Sequence, residues 1–390
     1  MRPTLVFLSF STLLFPVLAE ITLFQNYSGS TFFDRWTFFS GADLKTPGNV
    51  LYISEQQNND LKLAFLNEAG NAIIKVDNTT DGSADPNYGR ASIKISSNDS
   101  IPLGSLIIMD AVHLPFGCSV WPAFWTSGQV WPDQGEIDMV ENVNLQTANQ
   151  YSLHTLQGCQ HPQSLADPIE TGQFISSDCF NQTNGNEGCV VRDPSNNSFG
   201  SAFAKNGGGV FATLWTSIGI KIWFFQRGSI PADIGTSSPN PSAWGTPSAN
   251  YPASSCPMSQ FFGSQTLIFN IQLCGQFAGG TYGPPCQGQC TDLIQHPENY
   301  NDAYFEVKYV NVFTGVEDNT KITPSTSSAS GASSSTSASG KTSSSSTGAP
   351  SQTSGSSSNA AMPIVYPSLE LMALSMATLS TVGVLFSGAL

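Results

Sequence analysis

Basic residues are scarce in this chain: 14 Lys and Arg stand against 28 Asp and Glu, for a net charge of −14. A phosphate-rich partner needs a basic footprint, so nucleic acid is excluded as a ligand, whereas a neutral polysaccharide makes no such demand. The acidity itself reads as a solubility and low-pH feature. Histidine is scarcer still, with four in 390 residues. They are scattered, and no paired C-x-x-C knuckles occur, which removes the usual zinc frameworks. No metal and no cofactor is expected. Long amphipathic helices are missing too. Between about residues 20 and 315 there is neither a Ser-rich linker nor an internal repeat, so one domain of about 295 residues is expected, a length that all-β folds tolerate.

What is there is a succession of short strands. Ser105 to Leu114, Ile218 to Gln226, Thr266 to Cys274 and Tyr304 to Phe313 carry strand signals broken by Gly, Pro and Asn clusters. Repeated strands of this kind predict an all-β fold, two packed antiparallel sheets in a jelly-roll sandwich. Residues 156 to 210 show little regular pattern and hold three cysteines, so a disulfide-pinned loop bordering a cleft is expected there. The eight cysteines, at 118, 159, 179, 189, 256, 274, 286 and 290, suit disulfides in an oxidising compartment. Their connectivity stays open at this level.

The ends of the chain agree with export. Residues 1 to 19 combine Arg2, an apolar run from Leu5 to Leu18 and a small-residue site at Val17-Leu18-Ala19, and read as a signal peptide that leaves Glu20 as the first mature residue. Sequons at Asn26, Asn78, Asn98, Asn181 and Asn196 mark N-glycosylation acceptors. The folded domain is expected over 20 to 320. Residues 321 to 360 are dominated by Ser, Thr, Gly and Ala, which cannot bury a core, and read as an O-glycosylated stalk. Residues 361 to 390 form an apolar tail without Lys or Arg, behind the small residues Asn359-Ala360-Ala361. This arrangement resembles a glycosylphosphatidylinositol (GPI) attachment signal, with Asn359 as the attachment residue and Ser358 next. A retained tail helix and a plain secreted protein are the alternatives. The expected location is the outer leaflet of the plasma membrane or the cell wall. The membrane would be a partner only through that lipid, and a monomer is expected.

Residues 135 to 142 read Gly-Glu-Ile-Asp-Met-Val-Glu-Asn. Strand side chains alternate, so Glu136 and Asp138 share a face, while regular alternation would turn Glu141 to the other. A β-bulge at Met139 or Val140 returns Glu141 to the first face. Three like charges so close cannot all ionise freely, so at least one carboxyl is expected to stay protonated near the working pH. A retaining glycosidase needs this combination, a carboxylate nucleophile and a protonated carboxyl about 5 Å apart. An exposed acidic strand or turn is the alternative for an isolated E-x-D-x-x-E. Trp121, Trp125 and Trp131 lie just upstream, and aromatic faces beside carboxylates suit the stacking of sugar rings.

Gly117-Cys118-Ser119-Val120-Trp121-Pro122-Ala123-Phe124-Trp125, then Trp131-Pro132 and Gly135 to Glu141, resemble glycoside hydrolase family 16, and within it the fungal laminarinases. Ser152-Leu153-His154-Thr155, Gly207-Gly208-Gly209, Ile220 to Phe224, Trp244-Gly245-Thr246-Pro247, Cys274-Gly275 and the strand near Tyr304 to Phe313 follow in the family's order. The resemblance covers about residues 22 to 315. It implies a concanavalin A-like sandwich with the acids on a concave substrate cleft. It further implies Glu136 as nucleophile, Glu141 as acid/base and Asp138 as the assisting carboxylate. Trp125, Trp131 and His154 match cleft residues, and Lys94, Asn144 and Phe277 complete the expected substrate-binding set. Two departures stand out. Phe277 replaces a common sugar-stacking Trp, and Lys94 replaces a common Arg and its planar fork.

Three activities fit these features. The first is an endo-1,3(4)-β-glucanase that hydrolyses internal linkages of β-1,3- and mixed β-1,3/1,4-glucans with retention. The second is a wall transglycosylase that passes the same glycosyl-enzyme intermediate to another sugar chain; family members that cross-link wall polymers tend to lack the extra bulge residue. The third is a glucan-binding module without catalysis, for which crowded carboxylates serve no purpose.

Overall fold

Period-two burial organises the chain. In the strand Gln265–Leu273, Leu267, Phe269, Ile271 and Leu273 are almost entirely inaccessible, and the residues between them face the other side of the sheet. The same alternation in Val120–Gly128 buries Val120, Phe124 and Thr126 and leaves Trp121 and Trp125 partly accessible. The structure, a computed structural model, describes residues 21–163 and 169–316.

Two sheets of eight strands result. One runs in the order Ala249–Pro252, Gly219–Gln226, Gly209–Thr216, Ser105–His113, Tyr304–Thr314, Ala72–Lys75, Ala64–Leu66, with Thr22–Ser28 also paired to Tyr304–Thr314. The other runs Gln173–Phe174, Cys189–Arg192, Gln150–His154, Glu136–Glu141, Val120–Gly128, Gln265–Leu273, Lys94–Ser97, Trp36–Phe38. Pairing within both is antiparallel. The expected jelly-roll sandwich is what forms, and the four strands read from sequence lie within a residue of their predicted bounds.

The sheets share one large core. Phe269 stacks on Phe124 at 4.3 Å between ring centroids and meets Phe305, from the opposite sheet, edge-on at 5.2 Å. Buried aromatic pairs of this kind add about 0.5–1.5 kcal/mol each beyond their area. With its apolar side committed to this core, the Glu136–Glu141 sheet has only its other face left for chemistry.

Two features depart from expectation. A small third sheet, Gly41–Ala42, Val50–Tyr52 and Arg90–Ser92, contains a parallel pair, which no periodicity announced. The stretch 156 to 210 is more than a loop. It supplies Cys189–Arg192 to the site-bearing sheet, the edge pair Gln173–Phe174 and the helix Gly200–Lys205. The expected pinning is present: all eight cysteines pair, as 118–286, 159–256, 179–189 and 274–290.

Candidate active site

The strand Glu136–Glu141 carries the bulge that the acid spacing required. Asp138 lies opposite Trp125 on one side and Ser152 on the other, whereas Glu141 lies opposite Ala123 and Gln150. Met139 and Val140 therefore oppose the single residue Tyr151, and both bury their side chains in the core. That extra residue restores Glu141 to the face of Glu136 and Asp138. Asn149, fully buried, pins the distortion. Its Nδ2 donates to the carbonyl of Met139 at 3.0 Å, and its Oδ1 accepts from the backbone N–H of Glu141 at 3.0 Å. Gly135 precedes the strand at φ +73°, where a Cβ would run into Phe262 at 2.3 Å, so the chain can enter the strand here only as glycine.

Each acid has its own partners. The indole N–H of Trp131 donates to Glu136, and that of Trp121 donates to Glu141 at 2.7 Å. Asp138 is almost wholly buried, accepts the Ser152 hydroxyl at 2.6 Å and faces His154 Nε2 at 3.2 Å. Both glutamates keep an edge open to the cleft, yet their carboxyls sit deep among neighbours. Burial and then the charge of Asp138 push the Glu141 carboxyl up to about 8, against the Trp121 N–H, which favours the anion. The same two causes raise Glu136 well above the usual carboxylate range, while His154 and the Trp131 N–H pull it back. For His154 burial would lower the value, but Glu136, the bond to Asp138 and the other two charges outweigh it and hold the ring near 10. One imidazolium thus sits among three carboxyls.

Glu136, Asp138 and His154 bring ligand-type atoms within 4.8 Å of one another. Glu136 accepts from Trp131, and Asp138 accepts from Ser152 and faces the imidazole.

The remaining expected site residues divide. Trp125 lies on the acid face and donates to Asn270 at 2.6 Å. The Lys94 ammonium is held over Trp125 at 5.6 Å and between Phe39 and Tyr52, where burial lowers its pKa. Phe277 stands edge-on to Trp121 at 5.6 Å and so buttresses the indole that touches Glu141. Asn144 does not fit a substrate contact. It is 7% exposed, and its amide is committed to Ser119 N–H and the Ala278 carbonyl, tying two loops together. Residues that sequence reasoning did not single out include Asn149, Ser152, Asn270 and Lys45, whose ammonium lies 5.7 Å from the Trp131 ring. Of these, Ser152 alone lies on a strand flanking the acidic one, and that position was the available signal for it.

Comparison with known proteins agrees with this geometry. The family model described as an XgeA-like catalytic GH16 domain matches residues 36–313. The chain is 39% identical over 297 residues to a probable glycosidase of Schizosaccharomyces pombe, spanning 75% of this chain and 69% of that protein. It is 36% identical over 303 residues to a probable endo-1,3(4)-beta-glucanase of Aspergillus fumigatus, spanning 75% of this chain but 45% of that longer protein. Among solved structures it is similar to the GH16 laminarinase 16A of Phanerochaete chrysosporium with two beta-glucans in donor and acceptor sites. That match has a TM-score of 0.71 and 34% identity, and covers 75% of this chain and 99% of that one. An elongating GH family 16 beta-1,3-glucosyltransferase is comparably similar, with a TM-score of 0.69 and 37% identity over 76% of this chain and all of that one. A matching family model over most of the domain, together with an acid strand bulged where the chemistry needs it, leads to one assignment: the chain belongs to glycoside hydrolase family 16.

Proposed function

We propose that this protein is a retaining endo-β-glucanase acting on internal linkages of β-1,3- and mixed β-1,3/1,4-glucans. The observation that carries the reading is the Met139–Val140 bulge, which sets two glutamates on one face, each with its own tryptophan N–H. Glu136, beside the His154 imidazolium, attacks the anomeric carbon as the leaving oxygen takes the proton of Glu141. Glu141, now ionised, then deprotonates the water that releases the sugar. Asp138 holds His154 and limits how many of the acids ionise at once. Trp125 and Trp131 offer faces for the flanking sugar rings.

Transglycosylation uses the same intermediate, and similarity to the elongating glucosyltransferase supports it as a second reading. The extra bulge residue and the several glucanase-named relatives favour water as the acceptor. Incubating the protein with β-1,3-glucan, mixed-linkage glucan, cellulose and chitin, and following products by size and anomeric proton NMR, separates the two. Early β-anomeric oligosaccharides from the first two substrates alone are expected. Chains longer than the starting oligosaccharides would favour transfer, and initial α-anomers would refute retention.

The same proposal places the enzyme outside the cell as a glycoprotein. A signal peptide over 1–19, a catalytic domain over 20–320, a Ser/Thr-rich stalk over 321–360 and a GPI signal over 361–390 with attachment at Asn359 make up its organisation. The signal peptide, the last two segments, Asn359 and residues 20, 164–168 and 317–320 of the domain lie outside the described residues. Exposed side chains at Asn26, Asn98 and Asn196 suit glycan attachment; Asn78 and Asn181 are half-buried. A monomer bound to the membrane through its lipid completes the reading.

A further inference from the structure

His154 carries the positive charge that three carboxyls share, and the structure shows what its second nitrogen touches. Nε2 faces Asp138 at 3.2 Å, and Nδ1 lies 3.2 Å from Oδ1 of Asn186. An imidazole flanked by an acceptor at each nitrogen satisfies both only when both carry hydrogen. Asn186 comes from the loop 180–188, closed at its base by the Cys179–Cys189 disulfide. The loop is seated on the strand end that bears His154: Asn181 N–H donates to the Thr155 carbonyl at 3.1 Å. Gly188 packs against the ring so closely that a Cβ there would stand 2.9 Å from Cε1. Asn186 itself has φ +66°, a left-handed conformation that asparagine tolerates and most residues do not. The loop is thus shaped to deliver one amide oxygen to one ring nitrogen.

We infer that Asn186 is a positioning residue for catalysis, which fixes His154 as a doubly protonated cation and through it keeps the nucleophile Glu136 ionisable. The titratable groups facing the ring are Glu136, Asp138 and Glu141 from the neighbouring strand. The loop's one charged residue, Glu187, is exposed. Without the amide acceptor, Nδ1–H loses its partner and the neutral ring becomes the easier state. The carboxyl cluster then loses its counter-charge at a lower pH than in wild type, though not at acid pH, where the ring is protonated regardless. This inference rests on the glycosidase reading for its meaning, but its test does not depend on turnover.

The test is a pH titration of the His154 ring by NMR on histidine-labelled protein, whose four histidines are assigned with a His154→Gln variant. Wild type is compared with Asn186→Gly, which removes the acceptor while leaving the left-handed backbone unstrained, and with Asn186→Asp, which keeps an acceptor oxygen. In Asn186→Gly the ring midpoint is expected to fall by about one pH unit or more. With it kcat/KM on a soluble β-1,3-glucan should fall more steeply with rising pH than in wild type, while near pH 5 the two differ less than ~3-fold. Asn186→Asp, which keeps the acceptor and adds a negative charge, should hold the midpoint at or above the wild-type value. An unchanged midpoint in Asn186→Gly overturns the inference, even if activity falls equally at every pH. A shifted midpoint in a protein that turns over no glucan would uphold the positioning role and sink the glucanase reading instead.

Discussion

Glu136 and Glu141 are the same residue type on one strand, and each accepts one indole N–H, so what divides their roles is the third neighbour. Only Glu136 joins Asp138 and the His154 ring in a group within 4.8 Å; Glu141 stays protonated up to about pH 8. Activity should therefore decline above about pH 8 as the acid loses its proton. Stability follows with a definite sign. The native state holds a proton on Glu141 that an unfolded chain, with an ordinary value of 4.5, has already lost. Native stability therefore falls as pH rises between those two values, and below pH 4.5 the residue contributes nothing. Glu141→Gln removes the penalty. We expect a gain on the order of 1–3 kcal/mol at pH 7 and none at pH 4, read as a rise of several degrees in Tm at the higher pH only, together with loss of turnover. Equal Tm changes at both pH values would contradict the buried, protonated state.

One strand irregularity decides whether the sheet has a site at all, and Asn149 holds that irregularity through both ends of its amide. Asn149→Ala strands a buried carbonyl and a buried N–H, at a cost of about 1–3 kcal/mol for each such group left unpaired. The prediction is a folded enzyme whose kcat falls ~10–100-fold, with KM changed far less, because Glu141 is no longer held in line with the anomeric carbon. Circular dichroism and steady-state kinetics check it; a full-rate variant would mean that the bulge needs no pin. Much of this element was legible beforehand. The parity of Glu136, Asp138 and Glu141 demands an inserted residue, and alternation marks the main strands. Asn149 was not legible, since its contacts depend on a register that sequence does not state. Asn144 was misplaced for the same reason, its polar side chain being spent on Ser119 and Ala278. The Cys189–Arg192 strand was hidden because four residues are too few to show a period.

Taken whole, the molecule keeps its chemistry rigid by loading one sheet from both sides. Phe124, Phe269 and Phe305 lock it to its partner sheet, and disulfides fasten the loops at its margins. Cys118–Cys286 and Cys274–Cys290 tie the segment after Gln265–Leu273, which carries Phe277, to the start of Val120–Gly128, which carries Trp121. Cys179–Cys189 closes the loop that reaches His154. These three bridges thus fasten the segments that carry Trp121, Phe277 and the loop at His154. The claim that joins these scales is that Glu136 forms a covalent bond to glucose. Its most direct test is to trap the intermediate with a 2-deoxy-2-fluoro-β-laminaribioside bearing a good leaving group, digest the protein and locate the added mass. A fluoro-sugar ester on Glu136 is the predicted result; an adduct on Glu141 or Asp138, or inverted products with no adduct at all, would contradict it.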